Sequence, residues 1–76
     1  MEEKIIAIIS GICGADAGEL KMDLDLFESG LMDSFAVVQM AVEVESALGI
    51  ELDIENLTRA QIATPALIVA LVRGLL

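Results

Sequence analysis

Behind an acidic start, Glu2-Glu3, the apolar residues Ile5, Ile6, Ile8, Ile9 and Ile12 recur at helical spacing. This pattern predicts a first helix over about residues 2–13, fading where Gly11, Gly14 and Gly18 gather. The next stretch is acidic, with apolar residues set singly into it: Leu20, Met22, Leu24, Leu26, Phe27 and Leu31. It reads as a long ordered loop pinned to the core, a kind of segment that is commonly functional. From Asp33 to Leu48 one face at 3-4 spacing comprises Val37, Met40, Ala41, Val44 and Leu48, and Gly49 supplies the stop. Either Asp33 or Ser34 can cap this second helix. Ile50-Glu51-Leu52-Asp53 is an extended connector, and the broken periodicity of Ile54 to Ile62 allows only a short helix or two turns. Thr64-Pro65 marks the next start, Thr as cap and Pro at the first helical position. Leu67, Ile68, Leu71, Val72 and Leu75 then form the expected buried stripe of a last helix. No segment alternates with a two-residue period, so the fold class is all-α: a small bundle of three main helices plus one short helix, with a long loop between the first two.

A chain of 76 residues holds one domain, here residues 1–76, and one small core. Such a core yields about 3–5 kcal/mol, and a single cysteine, Cys13, supplies no internal disulfide. The longest apolar run, Pro65 to Val72, falls far short of the roughly 18–20 residues that span a bilayer. No direct membrane insertion is expected. The acidic N-terminus is also unlike a secretory leader, which predicts a cytoplasmic protein. Thirteen acidic residues against four basic ones give a net charge of −9; this repels nucleic acid and favours protein partners with basic surfaces. Six of the acids, Asp16, Glu19, Asp23, Asp25, Glu28 and Asp33, lie just upstream of Ser34, as a solvated loop or as a steering field.

The chain has no histidine, so neither a Ser-His nor a Cys-His nucleophile can be assembled, and the protein is not expected to be an enzyme. Cys13 has no Lys, Arg or His beside it and reads as a small apolar residue closing the first helix. Asp23, Asp25 and Glu28 lack the alternating ligands, central Gly and distal Glu of a calcium loop, and no metal site is expected. The methionines read as core filling. What remains is Ser34, a hydroxyl at the start of a helix with no base nearby. The unpaired N–H groups and positive dipole end of a helix N-terminus favour a phosphate attached there, so Ser34 reads as a site modified by another enzyme. Ser and Asp also head many unmodified helices, which keeps a second class open, an acidic helical adaptor in which Asp33-Ser34 is only a cap.

In Asp25-Leu26-Phe27-Glu28-Ser29-Gly30-Leu31, Asp33-Ser34-Phe35, Glu43, Glu45, Leu48-Gly49-Ile50 and Thr64-Pro65, the chain resembles the acyl carrier proteins from about residue 20 onward. That resemblance implies a four-helix bundle whose serine, here Ser34 flanked by Asp33, carries covalent 4′-phosphopantetheine, the terminal thiol of which holds a thioester. Within the family the chain is most similar to the D-alanyl carrier proteins of teichoic acid D-alanylation. The segments Asp25-Leu26-Phe27-Glu28 with Gly30-Leu31-Met32-Asp33-Ser34-Phe35, Val38-Gln39, and Leu57-Thr58-Arg59 followed by Ala63-Thr64-Pro65 and Ile68-Val69 bear this likeness. It implies three partners: a phosphopantetheinyl transferase, an adenylating amino acid ligase and an acyltransferase at the membrane. Ala36 stands where that subgroup often has Gly, and Ile62 where an aromatic is common, which leaves fatty acid, polyketide and nonribosomal peptide cargoes open. Helical geometry places Phe35, Val38, Gln39 and Val42 on one stripe beside the serine, the expected docking face for partners. The competing expectation is that Phe35 or Val38 helps fill the core.

Overall fold

The computed structural model describes residues 2–76. The first helix, α1, runs Glu2–Cys13 and buries Ile5 and Ile9, while Ile6, Ile8 and Ile12 pack around the margin of the core. It ends as the glycines predict: Gly14 has a φ of 68° and its N–H donates to Ser10 O at 3.0 Å. The loop that follows holds one 3-10 turn, Ala17–Glu19, and is ordered by its scattered apolar residues. Leu20, Leu26 and Met32 are buried, and Leu24, Phe27 and Leu31 pack against them. Met22 is 37% exposed and does not fill the core, unlike Met32 and Met40. Two backbone bonds tie the loop to the far end of the chain: Leu26 N–H to Ala63 O at 2.7 Å and Ala66 N–H to Met22 O at 3.1 Å.

Helix α2 covers Ser34–Leu48 and buries Met40, Ala41 and Val44, with Val37 and Leu48 half-buried on the same face. Gly49 closes it at a φ of 66°, donating to Glu45 O at 2.9 Å. The connector is held back on this helix because Leu52 N–H donates to Glu45 Oε2 at 2.8 Å, which lets Leu52 enter the core. The segment from Ile54 to Ile62 forms two pieces, a 3-10 turn at Ile54–Asn56 and a four-residue helix, α3, at Arg59–Ile62. The last helix, α4, spans Pro65–Leu75 with Pro65 in its first turn and Thr64 Oγ1 accepting from Leu67 N–H at 3.1 Å. Helix α1 packs on both α2 and α4, and α3 packs on α4. Among the described residues there is no strand, and four helices, one of them short, form the all-α bundle.

The buried stripe of α4 corrects the expectation from sequence. Its core face is Pro65, Ile68, Val69 and Val72, whereas Leu67 and Leu75 are largely exposed and Leu71 half-buried. Leu67, Leu71 and Leu75 flank the buried series on this helix, so the expected stripe is rotated away from the i, i+3, i+4, i+7 series that starts at Pro65.

No neighbouring atom would obstruct a Cβ at Gly49, so replacement by alanine meets only the backbone penalty of the left-handed conformation. Gly49→Ala is expected to lower stability by about 1–2 kcal/mol, read as an earlier urea midpoint with an unchanged slope.

Candidate functional site

The turn before α2 is prepared by its own polar groups. Asp25 Oδ1 accepts the N–H groups of Phe27 at 3.0 Å and Glu28 at 2.9 Å, folding the chain into a turn that Gly30 completes at a φ of 79°. Leu31 and Met32 then both donate to Leu26 O at 3.0 Å, and Met32 plugs into the core. Burying Met32 leaves Asp33 and Ser34 exposed at the surface.

Asp33 is the cap: its backbone is extended and its Oδ1 accepts Ala36 N–H at 2.8 Å. Val37 N–H reaches Asp33 O at 3.0 Å. By helix geometry this leaves the N–H groups of Ser34 and Phe35 without intrahelical partners, facing solvent or a ligand. With Asp33 committed to the cap, Ser34 is not needed for it.

The chain has four serines, and the fold distinguishes them. Ser10 Oγ donates to Ala15 O and Ser29 Oγ donates to Leu26 O at 3.2 Å, so both hydroxyls serve the backbone. Ser46 lies exposed on the body of α2 near its C-terminal end. Ser34 alone combines exposure, a helix N-terminus and, among the described residues, a hydroxyl free of any hydrogen bond.

Two grooves flank Ser34. One, of about 410 Å3, runs between the start of α2 and the 54–62 segment; Asp33, Ser34, Val37 and Val38 form one side and Ile54, Leu57, Arg59 and Ile62 the other, with Phe27 at the end. Here Arg59 lies over the Phe27 ring, its guanidinium carbon 4.6 Å from the centroid. The other groove, of about 430 Å3, is lined by Phe35, Val38, Gln39, Val42 and Glu43. It is the stripe expected for docking. Phe35 is 81% exposed, with Val38 and Val42 about half-exposed, so Phe35 does not fill the core.

Arg59 and Phe27 were not singled out as site residues by sequence reasoning. One signal was available: Arg59 is the only basic residue between Lys21 and Arg73. Cys13 is half-buried at the end of α1, and burial pushes its thiol above the ordinary range. Among the described residues no cluster of three or more His, Cys, Asp or Glu is placed to hold a metal ion, and no helix is long and apolar enough to cross a membrane.

Residues 3–72 match the family described as the phosphopantetheine attachment site. Curated relatives include the D-alanyl carrier proteins of Bacillus cereus strains B4264 and AH187 and of Bacillus anthracis strain CDC 684, each 37% identical over 68 residues, covering 90% of this chain and 86% of theirs. The likeness thus runs nearly the full length of both partners.

Proposed function

This chain belongs to the phosphopantetheine-attachment family, a carrier and not itself an enzyme, and from that premise we propose that Ser34 bears the group and that the cargo is D-alanine. The observation that supports Ser34 is its exposed, unbonded hydroxyl at the first position of α2, next to a capping Asp33. A phosphodiester fits these surroundings. The free N–H groups of the first turn and the positive end of the helix favour an anion at that point, and no structural hydrogen bond has to break to attach it.

Transfer from coenzyme A joins Ser34 Oγ to the phosphorus nearer the pantetheine, breaks that phosphorus's bond to the adenosine bisphosphate half, and releases the hydroxyl proton to the transferase. When bound, the group supplies a thiol that holds an acyl or aminoacyl unit as a thioester. The chain's own residues orient the attachment point and present a face for recognition, the usual division of labour for group carriers.

D-alanine as cargo, destined for teichoic acid, follows the curated relatives' name and the segments that resemble them. In this reading the protein is cytoplasmic and meets three partners: a phosphopantetheinyl transferase, an adenylating ligase that loads the thiol, and an acyltransferase at the membrane. The Phe35, Val38, Gln39 and Val42 stripe is the docking face for these partners. An exposed aromatic in a shallow apolar groove has the character of an interface anchor. Phe35→Ala is expected to fold normally and to lose about tenfold in kcat/KM for ligase loading, about 1.4 kcal/mol of transition-state binding.

The test is intact mass and peptide mapping after incubation with coenzyme A and a broad-specificity transferase, followed by loading with D-alanine, L-alanine and other amino acids. One phosphopantetheinyl increment on the peptide containing Ser34, then selective D-alanylation by a D-alanine ligase, supports the reading. An increment on another serine overturns the site, and loading only by a different acid or acyl group overturns the cargo.

A further inference from the structure

We infer that Arg59, held on the ring of Phe27, is the residue of this chain that pairs with the phosphodiester on Ser34 and directs the prosthetic arm into the groove between α2 and the 54–62 segment. The inference rests on Ser34 being the attachment point and goes on to name what receives the charge introduced there.

Four observations support it. First, with thirteen acids and four bases in the chain, a basic side chain would be expected to find a carboxylate. Arg73 does, reaching Glu2 at 3.4 Å, but among the described residues Arg59 forms no ion pair. Second, Arg59 is placed without being neutralised: its guanidinium carbon lies 4.6 Å from the Phe27 ring centroid, and a cation resting over a ring keeps N–H groups that can donate to a phosphate's oxygens. Third, both halves of that contact are anchored. Phe27 sits in the turn built by Asp25, and Arg59 follows Thr58, whose N–H donates to Gln61 Oε1 at 2.9 Å. Fourth, Arg59 and Ser34 line the same groove, where the only other charged lining residue is Asp33. The Asp33 carboxylate is turned to the Ala36 N–H and repels a second anion, so the favourable side-chain charge for a phosphodiester in this groove, added to that of the helix end, comes from Arg59.

A consequence follows for the arm. Pairing with Arg59 draws its first atoms toward Ile54, Leu57 and Ile62 and away from Phe35, Gln39 and Val42, with Val38, which lines both grooves, between them. Phe35, Gln39 and Val42 then stay uncovered while the arm is at rest. Salt weakens the contact, because Arg59 is exposed.

The experiment compares apo and holo protein by nuclear magnetic resonance, after mass has established complete modification. Formation of the holo protein is expected to shift the Arg59 Nε–Hε and Phe27 ring resonances at low ionic strength and to shift them back toward their apo positions at high salt. In R59Q the phosphorus resonance of the phosphodiester is expected to move most of the way toward that of free phosphopantetheine, whereas R73Q, which removes another exposed arginine, leaves it unchanged. Both variants alter exposed side chains, and their melting curves check that they fold. A fully modified protein with apo-like Arg59 and Phe27 resonances, or an R59Q phosphorus signal equal to wild type, overturns the assignment while the site reading stands. Absence of any mass increment at Ser34 overturns both.

Discussion

Ser34→Ala is expected to abolish phosphopantetheinylation completely, with the mass unchanged after incubation with coenzyme A and transferase, while Ser29→Ala and Ser46→Ala each take up one group as wild type does. The three variants differ in what the hydroxyl is doing. Ser29 Oγ serves Leu26 O, and offering it to an enzyme would loosen the turn that sets up α2. Ser46 lies on the helix body, where the surrounding N–H groups are already bonded within the helix and offer nothing to a phosphate. Ser34 is free on both counts. Because Asp33 makes the cap, losing the Ser34 hydroxyl is expected to change stability by less than about 0.5 kcal/mol. Asp33→Ala, by contrast, removes the cap at a cost of about 1 kcal/mol. Thermal melts of Ser34→Ala beside wild type therefore separate loss of the acceptor from loss of the fold, and a retained increment on Ser34→Ala would move the attachment to another residue.

The helices with one-sided patterns were legible in the chain. Ile5 and Ile9 of α1, and Met40, Ala41 and Val44 of α2, lie in the core as their spacing predicts. Local chemistry was equally readable where a single residue type has one physical use: Gly49 in the left-handed region, Thr64 with Pro65, and Asp33 ahead of Ser34. The face of α4 was misplaced, because Leu67, Leu71 and Leu75 flank the buried series and compete with it for the inward side, and the choice depends on what α1 and α3 present to the helix. The loop was legible in part. Its isolated leucines announced burial, but the bonds from Leu26 to Ala63 and from Ala66 to Met22 join residues some 40 apart, and no local pattern encodes such partners. The same holds for the contact of Arg59 with Phe27: it forms across the groove, from a segment whose periodicity allowed only a short helix or two turns. Ser34 stood out as the candidate attachment point by elimination and position, whereas the groove beside it belongs to the tertiary fold.

Leu26→Ala is expected to have the largest effect on stability of any single truncation in the loop. Leu26 is fully buried, and truncating such a leucine costs about 2–5 kcal/mol, against the about 3–5 kcal/mol that a core of this size supplies. The variant is thus expected to be substantially unfolded near room temperature, with a melting midpoint lowered by at least about 10 °C. Met22→Ala, at a position 37% exposed, is expected to melt close to wild type. The contrast bears on the site because Leu26 organises more than packing. Its N–H donates to Ala63 O at 2.7 Å, and its carbonyl accepts from Leu31, Met32 and the Ser29 hydroxyl. The side chain's burial keeps those groups in register, and Phe27 follows directly in the chain. Where residual folded Leu26→Ala persists, the Arg59–Phe27 contact should loosen, broadening the Phe27 ring signals even before global melting. A midpoint within a few degrees of wild type, with sharp Phe27 signals, would mean that the loop is held by its backbone bonds alone and that the groove wall does not depend on the leucine beneath it.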